Sequence, residues 1–237
     1  MLWPLFLSLF GLLLLIPLTF SYSGSGIPFQ AQIVGSLFIL ICSVGAIIGI
    51  WPSKALSLIG HKRAKADESD GHSSGDSKGH HPPCGRFKNH TILVAGRTLC
   101  AGCTGLVLGA MIAIVGSLVY FFIGLSPADP TIVFWLGFAF VPLGLLQHRI
   151  DLDDPLIHAS LNIVLVLGAF LLEVGVDRIN GSILAQTYLL AITTYWIVAR
   201  VTLSEADHAF ICRGCGQEGC PFSFATKPSW IKGTTFL

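Results

Sequence analysis

The chain has 237 residues, enough for one sizeable domain. It is 53% apolar and only 11% charged, whereas soluble domains carry about a quarter charged residues; lipid is the expected main solvent. A net charge of +1 excludes the broad basic field that a nucleic-acid partner would need.

A helix crossing a bilayer needs about 20 mostly apolar residues, because its backbone polar groups must be satisfied within the segment. Six stretches meet that requirement: 2–20, 29–51, about 97–125, 130–147, 155–176 and 181–203. The first has an apolar core followed by the small residues Ser21 and Ser23, as a secretory signal peptide does. It lacks the positive start of such a peptide and is expected to remain as a membrane helix.

The long polar segment between the second and third stretches is rich in Ser, Gly, Asp, Lys and His over 64–83. Too little there can be buried to offset the entropy of ordering, so a disordered linker is expected. Four regions follow: 1–52 with two helices, 53–96 as linker, 97–203 with four helices, and 204–237 as a cysteine-rich tail.

Lys and Arg set the orientation. Lys62, Arg63, Lys65, Arg86 and Lys88 lie in the linker, Arg149 in the turn 148–154, and Arg200, Arg213, Lys227 and Lys232 at the end of the sixth helix and in the tail. The opposite side carries only Arg178. The linker, turn and tail are therefore expected to be cytoplasmic in a cell membrane, with both termini inside. The fold class is an all-α integral membrane bundle of about six transmembrane helices with a cysteine-rich cytoplasmic face.

On the third helix Ala101, Gly105, Gly109 and Ala113 repeat every fourth residue, with Ser117 continuing the line. Small residues at that spacing let another backbone approach closely. Ordinary packing within the bundle is the expected use, and a membrane-protein partner on this face is the alternative. Gly45 and Gly49 make a shorter version on the second helix.

Of seven cysteines, Cys42 sits alone in an apolar run. Cys100 and Cys103 open the third helix in Leu-Cys-Ala-Gly-Cys-Thr-Gly, and Cys212 and Cys215 follow the sixth stretch in Ile-Cys-Arg-Gly-Cys-Gly. Two Cys-x-x-Cys pairs on one side of a membrane, in a reducing compartment, point to zinc, since two such pairs supply the four soft ligands of a tetrahedral ion. Either the pairs share one ion, or each region builds its own site. In the second arrangement, which is preferred, the tail uses His208, Cys212, Cys215 and Cys220. The upstream site then uses Cys84, Cys100 and Cys103, with His81 or His90 as fourth ligand.

An iron–sulfur cluster is the competing cofactor, because Cys220-Pro221 matches the close of some ferredoxin motifs; the preceding gaps do not match. A structural metal that fixes linker and tail, as a docking surface or a subunit of a larger assembly, is the expected role. An enzyme is not expected. The alternative is thiol or electron-transfer redox chemistry at Cys100 and Cys103, whose position at a helix N-terminus favours thiolate. The inward placement weighs against it.

Cys84-Gly-Arg-Phe87, Gly96, then Leu99-Cys100-Ala-Gly-Cys103-Thr104-Gly105 and Gly109 resemble the predicted membrane proteins grouped as domain of unknown function 2085. Pro142 and Gln147 match further positions of that pattern, and the resemblance covers about 84–168. Gly102 stands where the family usually has Arg, Gly85 where it has His, and an Asp-Gly before the Gln is missing. The resemblance implies a membrane fold and no particular activity.

The turn from Gln147 to Pro155, with His158 one turn on, could hold a cation or a phosphate ester. The plainer expectation is a solvated turn with Asp153 or Asp154 capping the next helix and Pro155 at its first position. Asn162, Glu173, Gln186 and Thr187 are polar residues within apolar stretches and are expected to make interhelical hydrogen bonds, Glu173 reaching water or Arg178. The linker residues His61, His72, His80 and His81 are expected to be plain solvated side chains. Phosphate loops, His-Glu-x-x-His pairs and serine elbows are absent from the sequence.

Overall fold

The computed structural model describes residues 3–21, 29–50, 87, 90–94, 97–125, 129–147 and 154–214. Among them are six helices and one short hairpin. The helices are α1 (Trp3–Phe20), α2 (Gln30–Ile50), α3 (Ala101–Ser117), α4 (Pro130–Leu146), α5 (Pro155–Ile179) and α6 (Ile183–Gly214). The hairpin pairs β1 (Thr91–Val94) with β2 (Arg97–Cys100). Each of the six apolar stretches is thus helical. Four helices are long and apolar enough to cross a membrane: α1, α2, α3 with its π-helical extension to Ile123, and α5. α4 is apolar but shorter.

Two expected boundaries move. The third helix starts at Ala101, not near Arg97, because 97–100 pair with the β-branched and apolar run Thr91–Val94. The sixth helix continues past Leu203 to Gly214. Apolar character stops near 203, but Ala206 and Ala209 are good helix formers and no Gly or Pro interrupts before Gly214. Cys212 is therefore on the helix instead of in a tail beyond it. Caps fix two other starts. Asp129 Oδ1 accepts from the amides of Thr131 (2.8 Å) and Ile132 (3.2 Å), and Asp154 Oδ1 accepts from Leu156 (2.8 Å) with Pro155 at the first position.

α5 is central. It packs most extensively on α4 and α3, while α2 lies on α3 and α1 on α6. Glycines set the closest approaches. A Cβ at Gly105 would collide with the Ala159 carbonyl oxygen and stand 2.8 Å from its carbon. Gly109 faces Ile163, Gly137 faces Gly168 and Leu172, and Gly144 faces Leu161 and Leu165. The small-residue face of α3 is thus occupied by α5 of the same chain. α1 is tied to α6 by Tyr188 donating to Gly11 O (2.7 Å) and Trp196 Nε1 donating to Ser8 O (3.3 Å). Phe38, Phe134, Leu172, Leu189 and Trp196 are among the buried core residues.

The exterior is apolar as well. α2 buries Val34, Phe38 and Cys42 yet exposes Ile33, Leu37, Leu40, Val44 and Ile47. In water such a face would be a large uncovered apolar patch.

Candidate functional site

The start of α3 gathers polar groups from five elements. Cys100 ends β2 in extended conformation and is the N-cap residue of α3. Its Sγ accepts from the Cys103 amide at 3.4 Å, and the Cys103 side chain is in hydrogen-bond contact with Cys100. Thr104 Oγ1 donates to Cys100 O at 2.8 Å, tightening the first turn. Both cysteines are half-buried.

Arg200 reaches this turn from α6. It is only 7% exposed, and its charge acts on Cys100 and Cys103. Gly102, between the two cysteines, makes the approach possible, since a Cβ there would run into the Arg200 guanidinium. Arg200 Nε donates to Asn162 Oδ1 at 2.5 Å. Asn162 Nδ2 in turn donates to His158 O (2.6 Å) and Gln147 Oε1 (3.1 Å), and Gln147 Nε2 donates to Gly144 O (2.6 Å). Asn162 and Gln147 are fully buried. Engagement of Nε lowers the cost of burying this charge.

The hairpin adds a histidine pair. Thr91 stands opposite Cys100 in the β1–β2 register, which brings the neighbouring His90 to the same end. The His90 and His158 rings stack at 5.1 Å, and the buried Phe87 lies 6.1 Å from His90.

Of the expected ligands, Cys100 and Cys103 come together as described. His208 and Cys212 stand one turn apart on α6 by backbone. Cys84, Cys215 and Cys220 lie outside the described residues, as do His61, His72, His80, His81 and the linker 64–83. Among the described residues no three His, Cys, Asp or Glu side chains converge closely enough to hold a metal ion.

Sequence reasoning missed Arg200 as a site residue, having counted it only as a cytoplasmic charge. Its signal was a cation inside the otherwise apolar 181–203. In the sequence, His158 stands out only with its turn, and Gln147 only with the turn and the family resemblance. Asn162 and Gln186 make the expected interhelical bonds. Thr187 instead donates to Ile183 O of its own helix. Glu173 is completely buried, and neither of its carboxylate oxygens has a hydrogen-bond partner among the described residues. The expectation that it meets water or Arg178 does not hold; α5 turns this residue inward with Leu172 and Val174.

Comparison with family models, with curated proteins and with solved structures gives no match to this chain.

Proposed function

We propose that this chain is a six-span cell-membrane protein with both termini cytoplasmic, whose working site is the dithiol Cys100–Cys103 facing the cytoplasm. The apolar outer surface of α2 supports the membrane reading. The observation that carries the functional reading is the buried Arg200 set against a contacting cysteine pair at a helix N-terminus. Negative charge developing on either sulfur meets the guanidinium and the positive end of the α3 dipole, which offset part of the cost that the Cys100 contact and burial impose at Cys103.

The chemistry is thiol–disulfide exchange. In a reducing compartment the pair is held as dithiol and acts as the reductant. The Cys100 sulfur attacks a partner disulfide, forming a mixed disulfide and releasing one partner sulfur. Cys103 then attacks Cys100 Sγ and releases the second. Two electrons and two protons pass to the partner, and Cys100–Cys103 is left as a disulfide. The partner is a protein or small-molecule disulfide at the membrane surface.

A zinc centre is the second reading, favoured by the His90–His158 pair beside Cys100. Cys100 and Cys103 would hold the ion with His90 and with Cys84, which lies outside the described residues. One ion shared with the tail is disfavoured. Cys212 follows Arg200 by twelve residues on one continuous helix, about 18 Å along its axis. His208, Cys212, Cys215 and Cys220 would then form their own site. The motif around Cys84 to Gly109 supports a place among the proteins of domain of unknown function 2085 and adds no activity to either reading.

One experiment separates the readings. Protein purified without chelator is assayed for metal and then equilibrated against glutathione redox buffers, with the Cys100–Cys103 bond read by mass spectrometry. A reversible two-electron transition without bound zinc is expected, lost in Cys103→Ser. Stoichiometric zinc that blocks the transition and is lost in Cys100→Ser would replace the dithiol reading with the metal one.

A further inference from the structure

We propose that Glu173 binds a carboxylate-neutralising monovalent cation, a proton or a sodium-sized ion, inside the bundle at the end opposite Cys100. The inference stands on residues independent of the cysteine site.

Glu173 is fully buried on α5, with both carboxylate oxygens lacking a hydrogen-bond partner among the described residues. An isolated carboxylate in an apolar interior is among the most costly arrangements a chain can adopt. Its nearest acidic neighbour, Asp177, one turn along the same helix, adds repulsion.

Asp177 gives no relief, because its own oxygens are taken. Oδ2 accepts from the Tyr120 hydroxyl at 2.6 Å and Oδ1 from Gln186 Nε2 at 2.7 Å. Gln186 Oε1 accepts from Gln30 Nε2 at 2.6 Å, and that nitrogen also donates to Gly181 O at 2.7 Å. Elements α2, α5, α6 and the π-helical turn Leu118–Ile123 thus close one network. The groups it brings from α2, α6 and the π-helical turn are neutral, while Arg178, whose charge reaches Tyr120, is exposed.

A third oxygen lies in the same layer. Gly116 packs on Phe170 and Tyr120 bonds Asp177, so the intervening Ser117 falls at the level of Glu173. Ser117 is completely buried, and its hydroxyl also lacks a partner among the described residues. The two enclosed carboxylate oxygens, unpartnered among the described residues, are the donors that a proton or one small cation would meet, and the buried Ser117 hydroxyl is the oxygen that α3 offers at about the same depth. One fully buried carboxylate balances a single positive charge, so a divalent ion would leave net charge in the apolar interior. An ionisable residue facing a bundle interior is where membrane proteins place such cargo.

The test uses the full chain in detergent micelles. Thermal unfolding of wild type, Glu173→Gln and Glu173→Asp is followed against pH, in sodium chloride or choline chloride at equal ionic strength. Wild type should gain about 3 °C or more on acidification or on sodium addition, and Glu173→Gln should lose that response. An acid response insensitive to sodium assigns the proton; a sodium response assigns the ion. Glu173→Gln tracking wild type across pH and salt would overturn the proposal. Should that variant not fold, wild type is treated with a hydrophobic carbodiimide and Glu173 is read by mass spectrometry. Modification that rises with acid or is suppressed by sodium supports the site; modification indifferent to both, or none, overturns it.

Discussion

Arg200 and Asn162, 38 residues apart, are joined by a 2.5 Å hydrogen bond that links α6 to α5 in the buried interior. Through Asn162 the guanidinium is connected to His158 O and Gln147. The one cation within reach of both thiols among the described buried residues is therefore held by the fold and not by solvent.

Removing the anchor should cost more than an ordinary hydrogen bond. Asn162→Ala leaves a buried cation short of an acceptor, and a loss of about 3 kcal/mol is expected. Denaturant unfolding in micelles measures it. The double variant Asn162→Ala with Arg200→Met should recover part of the loss, because no unpaired charge remains. Additive losses would show that the pair is not coupled.

Glycines on α2 and α3 should respond oppositely to the same methyl group. At Gly105 the new Cβ meets the Ala159 backbone, which cannot turn aside as a side chain can. Gly105→Ala is expected to destabilise by about 2 kcal/mol. At Gly45 the nearest atom is Ile197 Cδ1 at 3.9 Å, an ordinary contact. Gly45→Ala should be neutral or stabilise by up to about 1 kcal/mol through helix propensity. Melting temperatures of the two variants give the comparison, and equal shifts would contradict the close α3–α5 approach.

Tyr120→Phe keeps the ring and removes only the hydroxyl that donates to Asp177 at 2.6 Å. A carboxylate oxygen is left without its donor, and a loss of about 2 kcal/mol is expected. Hydrogen exchange should rise first at the end of α3, where the π-helical turn closes on Gly124 at a φ of 84°. An unchanged exchange pattern would mean that the hydroxyl does not hold this end.

Much of the architecture was readable from one-dimensional pattern. The apolar stretches located all six helices, since hydrocarbon-length runs with at most one or two charges have few other conformations available. Pro155 after Asp154 located the start of α5, and the four-residue repeat of small residues located the packing face of α3. Where apolar patterning is silent, boundaries slipped. Hydropathy marks where lipid would end, whereas a helix continues for as long as its backbone hydrogen bonds can, so α6 runs on past Leu203. The strand Arg97–Cys100 needs partners three to nine residues upstream, paired in antiparallel register, a relation invisible to helical periodicity.

That Cys100 and Cys103 share a helical turn is readable from the chain alone, because their spacing is local and covalently fixed. What surrounds them depends on how the helices pack, which brings in Arg200 from α6, Asn162 and His158 from α5, and Gln147 from the end of α4. The same holds for Glu173, whose place in the chain suggested water and whose place in the bundle removes it. The physical reason is common to both cases. Burial and charge pairing depend on which helix faces are brought together, and that is set by close glycine contacts distant in sequence, not by any residue's immediate neighbours.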